Sequence, residues 1–511
     1  MAFPILDLIG GGLKLLNIES EAFKTIWASM KYSFDVNQIE TAENITALAR
    51  ASINAAVSLL KVGLTGGAFV TAGVMSAGVA KTIGLILAIP GAIFGVGNGI
   101  GFAISIFNVE PFTRFDIYNY HQINIKTPNS ATIWVLGQPI SLIEWQNSGI
   151  EGNVKIEMYK GENKVVDITN QTENDGNFRF NLSNSIAIGN NYRVRVVPLS
   201  DQTLSNFSDY FEIKNYETNY GWSTLNSGSE NFLEGVSAVN EFIVWVCGSD
   251  GTILRTINGG ETWENAGDNK LTESIHNIFG WDDQLAFCSS GSSVYRTSDG
   301  GNSWTEVLSN RRFINSIWMN DENNGYCFGD PDGGYWDLLT TSDGGVTWNT
   351  LSSLAANDGE LGVNNSLFVN GNDIYFGTMS GYKICHSTDG GNSWAYQITP
   401  NSLSAAIWFN KYGKGMEGGD DLAQTVDGGN NWSLISHPHI GGIFAITGRI
   451  NEWWYESGGM ILYSSDNGTN WEPQYTPTNT IRYFVQSRNI INYFTIWEVG
   501  WGGEIAEYLT P

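Results

Sequence analysis

The order of hydrophobic and polar positions changes along the chain, and each change predicts a different kind of structure. Over residues 18–61 apolar side chains recur at helical spacing, with Phe23, Trp27 and Met30 on one face of the first segment. Two long apolar runs follow, and beyond them the pattern becomes the two-residue alternation of β-strands. We therefore predict an apolar α-helical region over residues 1–110, followed by β domains.

The two apolar runs, 63–80 and 82–107, are separated only by Lys81. The second run exceeds the ~20 residues that span a bilayer, so residues 63–107 predict contact with a lipid bilayer. The alternative is burial against apolar assembly partners in a homo-oligomer or a larger particle. The first fifteen residues lack the basic start of a signal peptide, so no standard secretion signal is predicted.

Between residues 123 and 213 the alternation predicts short strands, for example at Val154, Ile156 and Met158. The segments PISLIEWQNSGIEGNVKIEMYKG, NDGNFRFNL and GNNYRVRVVPLSD resemble the Ig-like or fibronectin-like sandwich of surface proteins. The resemblance implies that Trp145 and Tyr192 are core residues. We predict an Ig-like β-sandwich that serves as a spacer over residues 111–216.

The rest of the chain repeats one short motif six times, with a serine or threonine, an acidic residue, a glycine and a tryptophan at fixed offsets. Its acidic position is occupied by Asn258, Asp299, Asp343, Asp389, Asp427 and Asp466, and its last position by Trp263, Trp304, Trp348, Trp394, Trp432 and Trp471. The motif resembles the Asp-box, or bacterial neuraminidase repeat, which implies the turn between the third and fourth strands of a β-propeller blade. The carboxylate would cap turn amides and the tryptophan would pack between blades, so the boxes are predicted to be structural.

A last unit near the C-terminus, residues 481–509, has three predicted strands and no box. An isolated strand at 220–228 carries Trp222 in the position of a box tryptophan. Together they would form one composite blade, which makes a seven-bladed propeller over residues 217–511 with N- and C-terminal strand closure. The predicted fold class is thus multidomain: apolar α-helical region, β-sandwich and β-propeller.

Composition excludes one class of partner. The chain has 26 lysines and arginines against 52 aspartates and glutamates, a net charge of −26 that repels phosphate backbones. Nucleic-acid binding is therefore not expected. Three of the four cysteines, Cys247, Cys288 and Cys327, share a repeat position that other repeats fill with hydrophobic residues, which predicts buried thiols.

The candidate chemistry is sparse. Asp-box propellers include sialidases, photosystem assembly factors and sortilin-like receptors, so residues must decide between functions. A sialidase needs three convergent arginines, but Arg255 and Arg296 share one repeat position beside the box, which indicates a structural role. The local histidine pair, His437 and His439, has no adjacent acidic or thiol partner, which favours a solvated loop over a metal site. We predict no catalytic residues, no metal and no cofactor.

Loop aromatics remain as candidates for binding, and Trp336 and Trp454 are the candidate ligand-binding residues. The leading hypothesis is a non-enzymatic attachment protein whose helical base is fixed in a membrane or particle, such as a virion spike. Its propeller would bind a glycan or protein ligand on one face. The alternatives are an assembly or stability factor that binds a partner protein through the propeller, or a sialidase-like glycosidase.

Overall fold

The computed structural model describes most of the chain after residue 121. The described residues are 122–216, 220–410, 412–438, 440–477, 481–486, 488 and 494–510. They belong to the compact unit His121–Pro511. The predicted helical region, with the apolar segment 63–107, lies outside them, and among the described residues no helix is long and apolar enough to cross a membrane.

Nine strands form the sandwich. They are β1 Gln122–Thr127, β2 Ile133–Val135, β3 Ser141–Ser148, β4 Val154–Lys160, β5 Asn163–Thr172, β6 Asn177–Phe180, β7 Gly189–Pro198, β8 Asn206–Phe207 and β9 Phe211–Lys214, with a short 3₁₀ helix at Gln202–Leu204. One sheet has the order β1-β3-β6, and the other has the order β2-β9-β7-β4-β5 with β8 added beside β7. All neighbouring strands are antiparallel except β2 and β9, which are parallel.

Alternation along the strands explains the sandwich core. On β7, Tyr192, Val194 and Val196 are buried, whereas the two arginines between them are less buried and point the other way. Trp134 and Trp145 are buried in the same cluster. The core positions that the sequence predicted for Trp145 and Tyr192 agree with this burial.

Twenty-four strands form six consecutive sheets, each built from four strands in chain order. They are β11 Leu233–Ala238, β12 Val244–Gly248, β13 Ile253–Thr256 and β14 Glu264–Asn265; β15 Asn277–Gly280, β16 Ala286–Ser290, β17 Ser293–Thr297 and β18 Thr305–Leu308; β19 Ile314–Met319, β20 Gly325–Asp332, β21 Tyr335–Thr341 and β22 Asn349–Thr350; β23 Phe368–Asn370, β24 Asp373–Gly377, β25 Lys383–Ser387 and β26 Ala395–Ile398; β27 Ser404–Phe409, β28 Gly415–Gly419, β29 Leu422–Thr425 and β30 Ser433–Leu434; β31 Ile446–Arg449, β32 Glu452–Ser457, β33 Met460–Ser464 and β34 Glu472–Tyr475. These sheets are antiparallel and arranged as in a β-propeller.

The seventh four-stranded sheet joins distant parts of the sequence. Its strands are β10 Gly221–Asn226, β35 Ile481–Gln486, β36 Thr495–Gly500 and β37 Glu504–Leu509, in the order β10-β37-β36-β35. Trp222 on β10 stacks on Tyr475 of the preceding sheet at 5.0 Å between ring centroids, and its Nε1 donates to Gln474 Oε1 at 3.0 Å. The first strand of the propeller thus completes its last sheet.

Neighbouring sheets bury their faces against each other. The repeat column that contains three cysteines is buried throughout, at Cys247, Cys288, Cys327, Phe376, Met416, Tyr455 and Val499. Trp497 and Val499 of the last sheet pack with Leu233, Val244 and Leu254 of the first. All four cysteines are buried and free.

The propeller has two ends that differ in their connections. We call the box end the one that carries the turns of the repeated motif, named box turns below, and the hairpins between the first and second strands of each sheet. The hairpin end carries the hairpins between the second and third strands and the linkers between sheets. Because the strands are antiparallel, these two sets of connections lie at opposite ends.

The sandwich contacts the box end. Tyr216 donates from its hydroxyl to the Glu507 carboxylate at 2.6 Å, and Asn258 Nδ2 donates to the carbonyl of Ile133 at 2.8 Å. Two ion pairs join the domains, Lys214 with Glu261 and Arg179 with Asp283. The hairpin end takes no part in these contacts.

Several carboxyl groups are buried inside the propeller. Burial raises the pKa of Glu417 to about 8, against the lesser opposing effect of the Ser404 hydroxyl bond. Burial likewise raises the pKa of Glu507 to about 8 at the junction with the sandwich. Both groups are therefore largely protonated in the folded protein at mildly acidic pH.

Replacing residues 221–226 with a flexible Gly/Ser segment of equal length should destabilise the propeller severely. The change exposes the edge of β37 and removes Trp222 from its site. We expect the free energy of unfolding to fall by more than about 3 kcal/mol, the usual cost of losing a packed tryptophan. Urea unfolding of the full chain measures this, with the exposed Tyr220→Ser variant as the control. An unchanged transition would rule out the composite sheet.

The buried glutamates make stability depend on pH. Their folded-state pKa of about 8 lies above the ordinary glutamate pKa of 4.5, so the stabilisation is complete below pH 4.5 and is lost as the pH rises toward 8. We expect a higher urea midpoint at pH 5 than at pH 8. Glu417→Gln and Glu507→Gln should each reduce this difference, and the exposed control Glu472→Gln should not. A difference that neither variant reduces would contradict this assignment.

Candidate functional site

The turns that carry the repeated motif form closed hydrogen-bond networks, as in the third sheet. Asp343 Oδ1 accepts from the Thr341 hydroxyl at 2.9 Å and from the backbone N–H of Thr347 at 2.9 Å, and Oδ2 accepts from the Thr347 hydroxyl at 2.6 Å. Equivalent bonds form at Asp299, Asp389, Asp427 and Asp466. In the first box, Asn258 Oδ1 accepts from the Thr256 hydroxyl and the Thr262 N–H in the same way, but its Nδ2 donates to the Thr262 hydroxyl.

These bonds hold the box carboxylates in their ionised form. The hydroxyl of Thr347, followed by its backbone N–H, lowers the pKa of Asp343 to about 2. The backbone N–H of Asn470, followed by its side chain, does the same for Asp466, whose pKa is also about 2. A carboxylate so strongly stabilised in its charged form is a poor general acid at neutral pH.

Glycine at the box turn is needed for two reasons. Gly345 has φ +74°, in the left-handed region, and a Cβ there would lie 2.2 Å from the Phe287 ring of the preceding sheet.

The box tryptophans also lie between sheets. Trp304 is buried, donates from Nε1 to the carbonyl of Ala266 at 2.8 Å and packs edge-on against Trp245. The other five are half-buried: Trp263, Trp348, Trp394, Trp432 and Trp471.

The described arginines of the propeller bind separate partners and do not converge. Arg255 donates to the carbonyl of Asp283 at 2.6 Å, and Arg296 donates to that of Gly344 at 2.8 Å. The remaining described ones form local contacts: Arg311 with Asp337, Arg312 with Asp332, Arg449 with Glu452 and Arg488 with the carbonyl of Gly280. The side chain of Arg482 lies outside the described residues. No carboxylate-binding clamp forms among the described arginines.

The structure corrects the expectation that His437 lies in a solvated loop. Its side chain is 2% exposed, Nε2 lies 2.6 Å from Asp421 Oδ1, and Nδ1 lies 3.0 Å from the Tyr455 hydroxyl. His437 thus holds the linker before β31 against Asp421 of the fifth sheet and Tyr455 of the sixth, and these contacts bury its side chain. His439 lies outside the described residues.

A polar cleft of about 240 Å³ opens at the box end between the fourth and fifth sheets. At its base the His386 ring stacks on Tyr375 at 4.0 Å. Nε2 faces Asp373 Oδ1 at 3.3 Å and Nδ1 faces Gln397 Nε2 at 2.8 Å, so the contacts hold one neutral tautomer. Burial lowers the pKa of His386, which also favours the neutral form. Both ring nitrogens are occupied, so this histidine is not a free base.

The candidate aromatics Trp336 and Trp454 do not present ring faces to solvent. Trp336 on β21 is 3% exposed and packs against Phe376, and Trp454 on β32 is 0% exposed and donates from Nε1 to Gln474 at 2.8 Å. Strand alternation points both rings between sheets. This burial corrects our expectation that they are surface anchors.

Four other large side chains are exposed at the hairpin end, on the linker after β22 and on the two hairpins that this linker contacts, and we call them the apolar patch. They are Tyr335, Leu361, Met379 and Tyr382, which are 54%, 46%, 52% and 56% exposed. The backbone of Met379 donates to the carbonyl of Leu361 at 3.0 Å, which brings the linker after β22 against the hairpin between β24 and β25. Tyr335 pairs with Ala355 of the same linker.

That linker, residues 351–367, is fixed across several sheets. Asn365 has a left-handed backbone with φ +61°, and its Nδ2 lies 3.3 Å from the carbonyls of both Glu234 and His276. Asn364 Nδ2 also donates to the carbonyl of His276, at 2.8 Å. The linker therefore reaches from the fourth sheet to the first and second.

Beneath the apolar patch lies a buried ion pair between Lys383 and Glu360. The Lys383 ammonium is also 3.8 Å from the centroid of the Tyr396 ring. The bond to Lys383 lowers the pKa of Glu360 despite its burial. This pair joins the linker to β25 and supports the patch as a rigid surface.

Sequence patterns found only part of this surface. Tyr335 is one of the loop aromatics, but the sequence analysis predicts its neighbour Trp336 as the ligand-binding residue. Leu361 and Met379 carry no motif, because their exposure depends on where the linker is bound.

Comparison with known proteins covers both described domains. The family described as the Kre9/KNH-like N-terminal Ig-like domain matches residues 127–213, which confirms the Ig-like sandwich. A comparison with curated protein sequences finds no match.

Solved structures resemble the propeller at low identity. One is YCF48 bound to D1 peptide, with 18% identity, 58% of this chain and 99% of that chain covered, and a TM-score of 0.48. YCF48 from Cyanidioschyzon merolae has 17% identity, 56% and 98% coverage, and a TM-score of 0.45. A GH74 enzyme from Niastella koreensis has 14% identity, 62% and 47% coverage, and a TM-score of 0.39. The described sheets have the strand order of propeller blades, and the assignment of the repeats to the Asp-box class stays a prediction.

Asp343→Ala should lower the thermal midpoint of the full chain, whereas Asp343→Asn should cost less, because Asn258 already makes the equivalent bonds in the first box. The ionised box carboxylate stabilises the fold above pH 3.8, and this contribution is lost as the pH falls toward about 2. Thermal unfolding between pH 2 and 6 measures both effects. Glycoside hydrolysis that Asp343→Ala abolished without unfolding the protein would contradict the structural role.

Proposed function

We propose that the seven sheets are the blades of one closed propeller, and that this propeller is a non-enzymatic recognition domain that binds a protein partner at its hairpin end. The observation that carries the proposal is the apolar patch, which lies at the end of the propeller that the sandwich does not contact. The sandwich then acts as a spacer at the box end.

The composition of the patch favours a protein ligand. Two tyrosines supply aromatic area, and Leu361 and Met379 add aliphatic surface that suits the apolar side chains of a protein more than a hydroxyl-rich sugar. Contiguous exposed apolar surface on a soluble domain typically marks an interaction site. The fixed linker and the buried pair beneath it keep this surface in one conformation, so little ordering is needed on binding.

The ionisable groups support binding over catalysis. The box carboxylates are occupied by turn bonds, and the described arginines bind separate partners. The cleft histidine, His386, has both ring nitrogens engaged. None of these groups combines a free nucleophile or base with a second group that could stabilise a developing charge.

Two versions of this function differ in the role of residues 63–107. In the attachment version, this segment fixes the protein, as a homo-oligomer or within a particle such as a virion, on a membrane or particle surface. In the assembly-factor version, the propeller alone accounts for function. Fractionation of the full chain separates them, since only the attachment version requires recovery with membranes or particles.

Removing the two exposed tyrosine rings should abolish partner binding without unfolding the propeller. We expect full-length Tyr335→Ser/Tyr382→Ser to lose at least tenfold in recovery of its main partner from native extract, since aromatic anchors dominate interface energies. The control is Tyr412→Ser, which removes a still more exposed ring, at 68%, at the box end. Quantitative mass spectrometry measures recovery, and circular dichroism checks folding. Equal loss in both variants, or loss in neither, would contradict the proposed surface.

A further inference from the structure

The charges around the apolar patch are unbalanced. Among the lysines and arginines of the hairpin end whose side chains the structure describes, each lies close to a carboxylate. The pairs are Lys270 with Asp268, Arg311 with Asp337, Arg312 with Asp332 and Lys383 with Glu360. Their positive charge is therefore already neutralised within the protein.

Two exposed carboxylates flank the patch without such a cation. Asp358 lies in the linker three residues before Leu361, and it forms no ion pair with a described residue. Asp420 lies on the hairpin of the neighbouring fifth sheet, where it accepts from the backbone N–H groups of Ser402 and Leu403, at 3.1 and 3.3 Å, and from the Ser402 hydroxyl. The same segment continues to Ser404, whose N–H donates to the carbonyl of Thr378 beside Met379.

Further exposed carboxylates extend this negative surface around the hairpin end, at Glu230, Asp250 and Glu273. The hairpin end thus carries the apolar patch together with exposed carboxylates in excess, which we call the rim. Surfaces of this kind select partners by charge as well as by shape, because a like-charged partner is repelled before contact.

We infer that the partner of the apolar patch is a basic protein segment, with apolar side chains that cover Tyr335, Leu361, Met379 and Tyr382 and with lysines or arginines that meet Asp358 and Asp420. This inference rests on the proposed function and specifies the chemistry of the partner. An acidic segment would be repelled by the rim, and a neutral apolar segment would bury the edges of both carboxylates without a counter-charge.

The test uses a phage-displayed library of random dodecapeptides as the probe, selected on the immobilised full-length protein. Peptides that also bind Tyr335→Ser/Tyr382→Ser are removed, so that the remaining ones depend on the patch. We expect these peptides to be enriched in lysine and arginine together with leucine and aromatic residues. Synthetic copies should bind at least tenfold more weakly in 0.5 M than in 0.05 M salt, because screening shortens the range of charge attraction.

Charge reversal provides the matched test of the rim. The full-length variant Asp358→Lys should bind the selected basic peptides at least tenfold more weakly in low salt, and a selection on it should enrich acidic peptides. A control variant with the same charge change at the box end, Asp299→Lys, is unsuitable because that carboxylate holds a turn, so the exposed sandwich residue Glu162→Lys serves instead. Circular dichroism of each variant checks folding.

The outcomes distinguish the proposed binding surface from the inferred basic partner. If no peptide depends on the two tyrosines, both the proposed function and this inference fail. If peptides depend on the tyrosines but are neutral or acidic, or if charge reversal has no effect, the binding surface stands and the inference of a basic partner is wrong. Binding of an uncharged glycan at the same tyrosines would overturn the inference as well.

Discussion

A four-stranded sheet with two apolar faces is stable only when a neighbour covers each face, and this constraint governs the described propeller. The seventh sheet satisfies this constraint by including β10, which precedes the other sheets in the sequence. Because β10 supplies the outer strand and Trp222, that sheet has a full face for Gln474 and Tyr475 on one side. On its other side, Trp497 and Val499 pack against the first sheet. The faces of the sheets are thereby buried, and the ends of the propeller and the outer strands of the sheets remain exposed.

The two ends of the propeller differ in the chemistry of their exposed groups. At the box end, carboxylates bind their own turns and the sandwich covers part of the surface, with Asn258 both closing its box and binding the carbonyl of Ile133. At the hairpin end, one long linker crosses the first, second and fourth sheets through Asn364 and Asn365. A linker bound in so many places can hold apolar side chains in solvent, since it has no freedom to bury them elsewhere.

The repeated motif allowed the strands of the propeller to be predicted from the sequence. Box spacing, the cysteine column and the unpaired segment around Trp222 were enough to place the strands of the composite sheet, because each depends on local pattern. The binding surface was not readable in the same way. Tyr335 and Trp336 are adjacent, but alternation buries one ring between sheets and exposes the other, and the sequence alone did not fix which. Leu361 is exposed only because its linker is held by distant carbonyl groups.

The excess of acidic over basic side chains affects both the interior of the propeller and its surface. The chain has half as many basic as acidic side chains, and the described basic residues are largely taken by structural contacts such as Arg255 with Asp283 and Lys383 with Glu360. Buried carboxyl groups without a cation keep a proton instead, as the raised pKa of Glu417 indicates. Exposed carboxylates have no such need, because water solvates them, and they remain charged around the apolar patch. The same deficit thus makes the interior sensitive to alkaline pH and leaves the hairpin end negative.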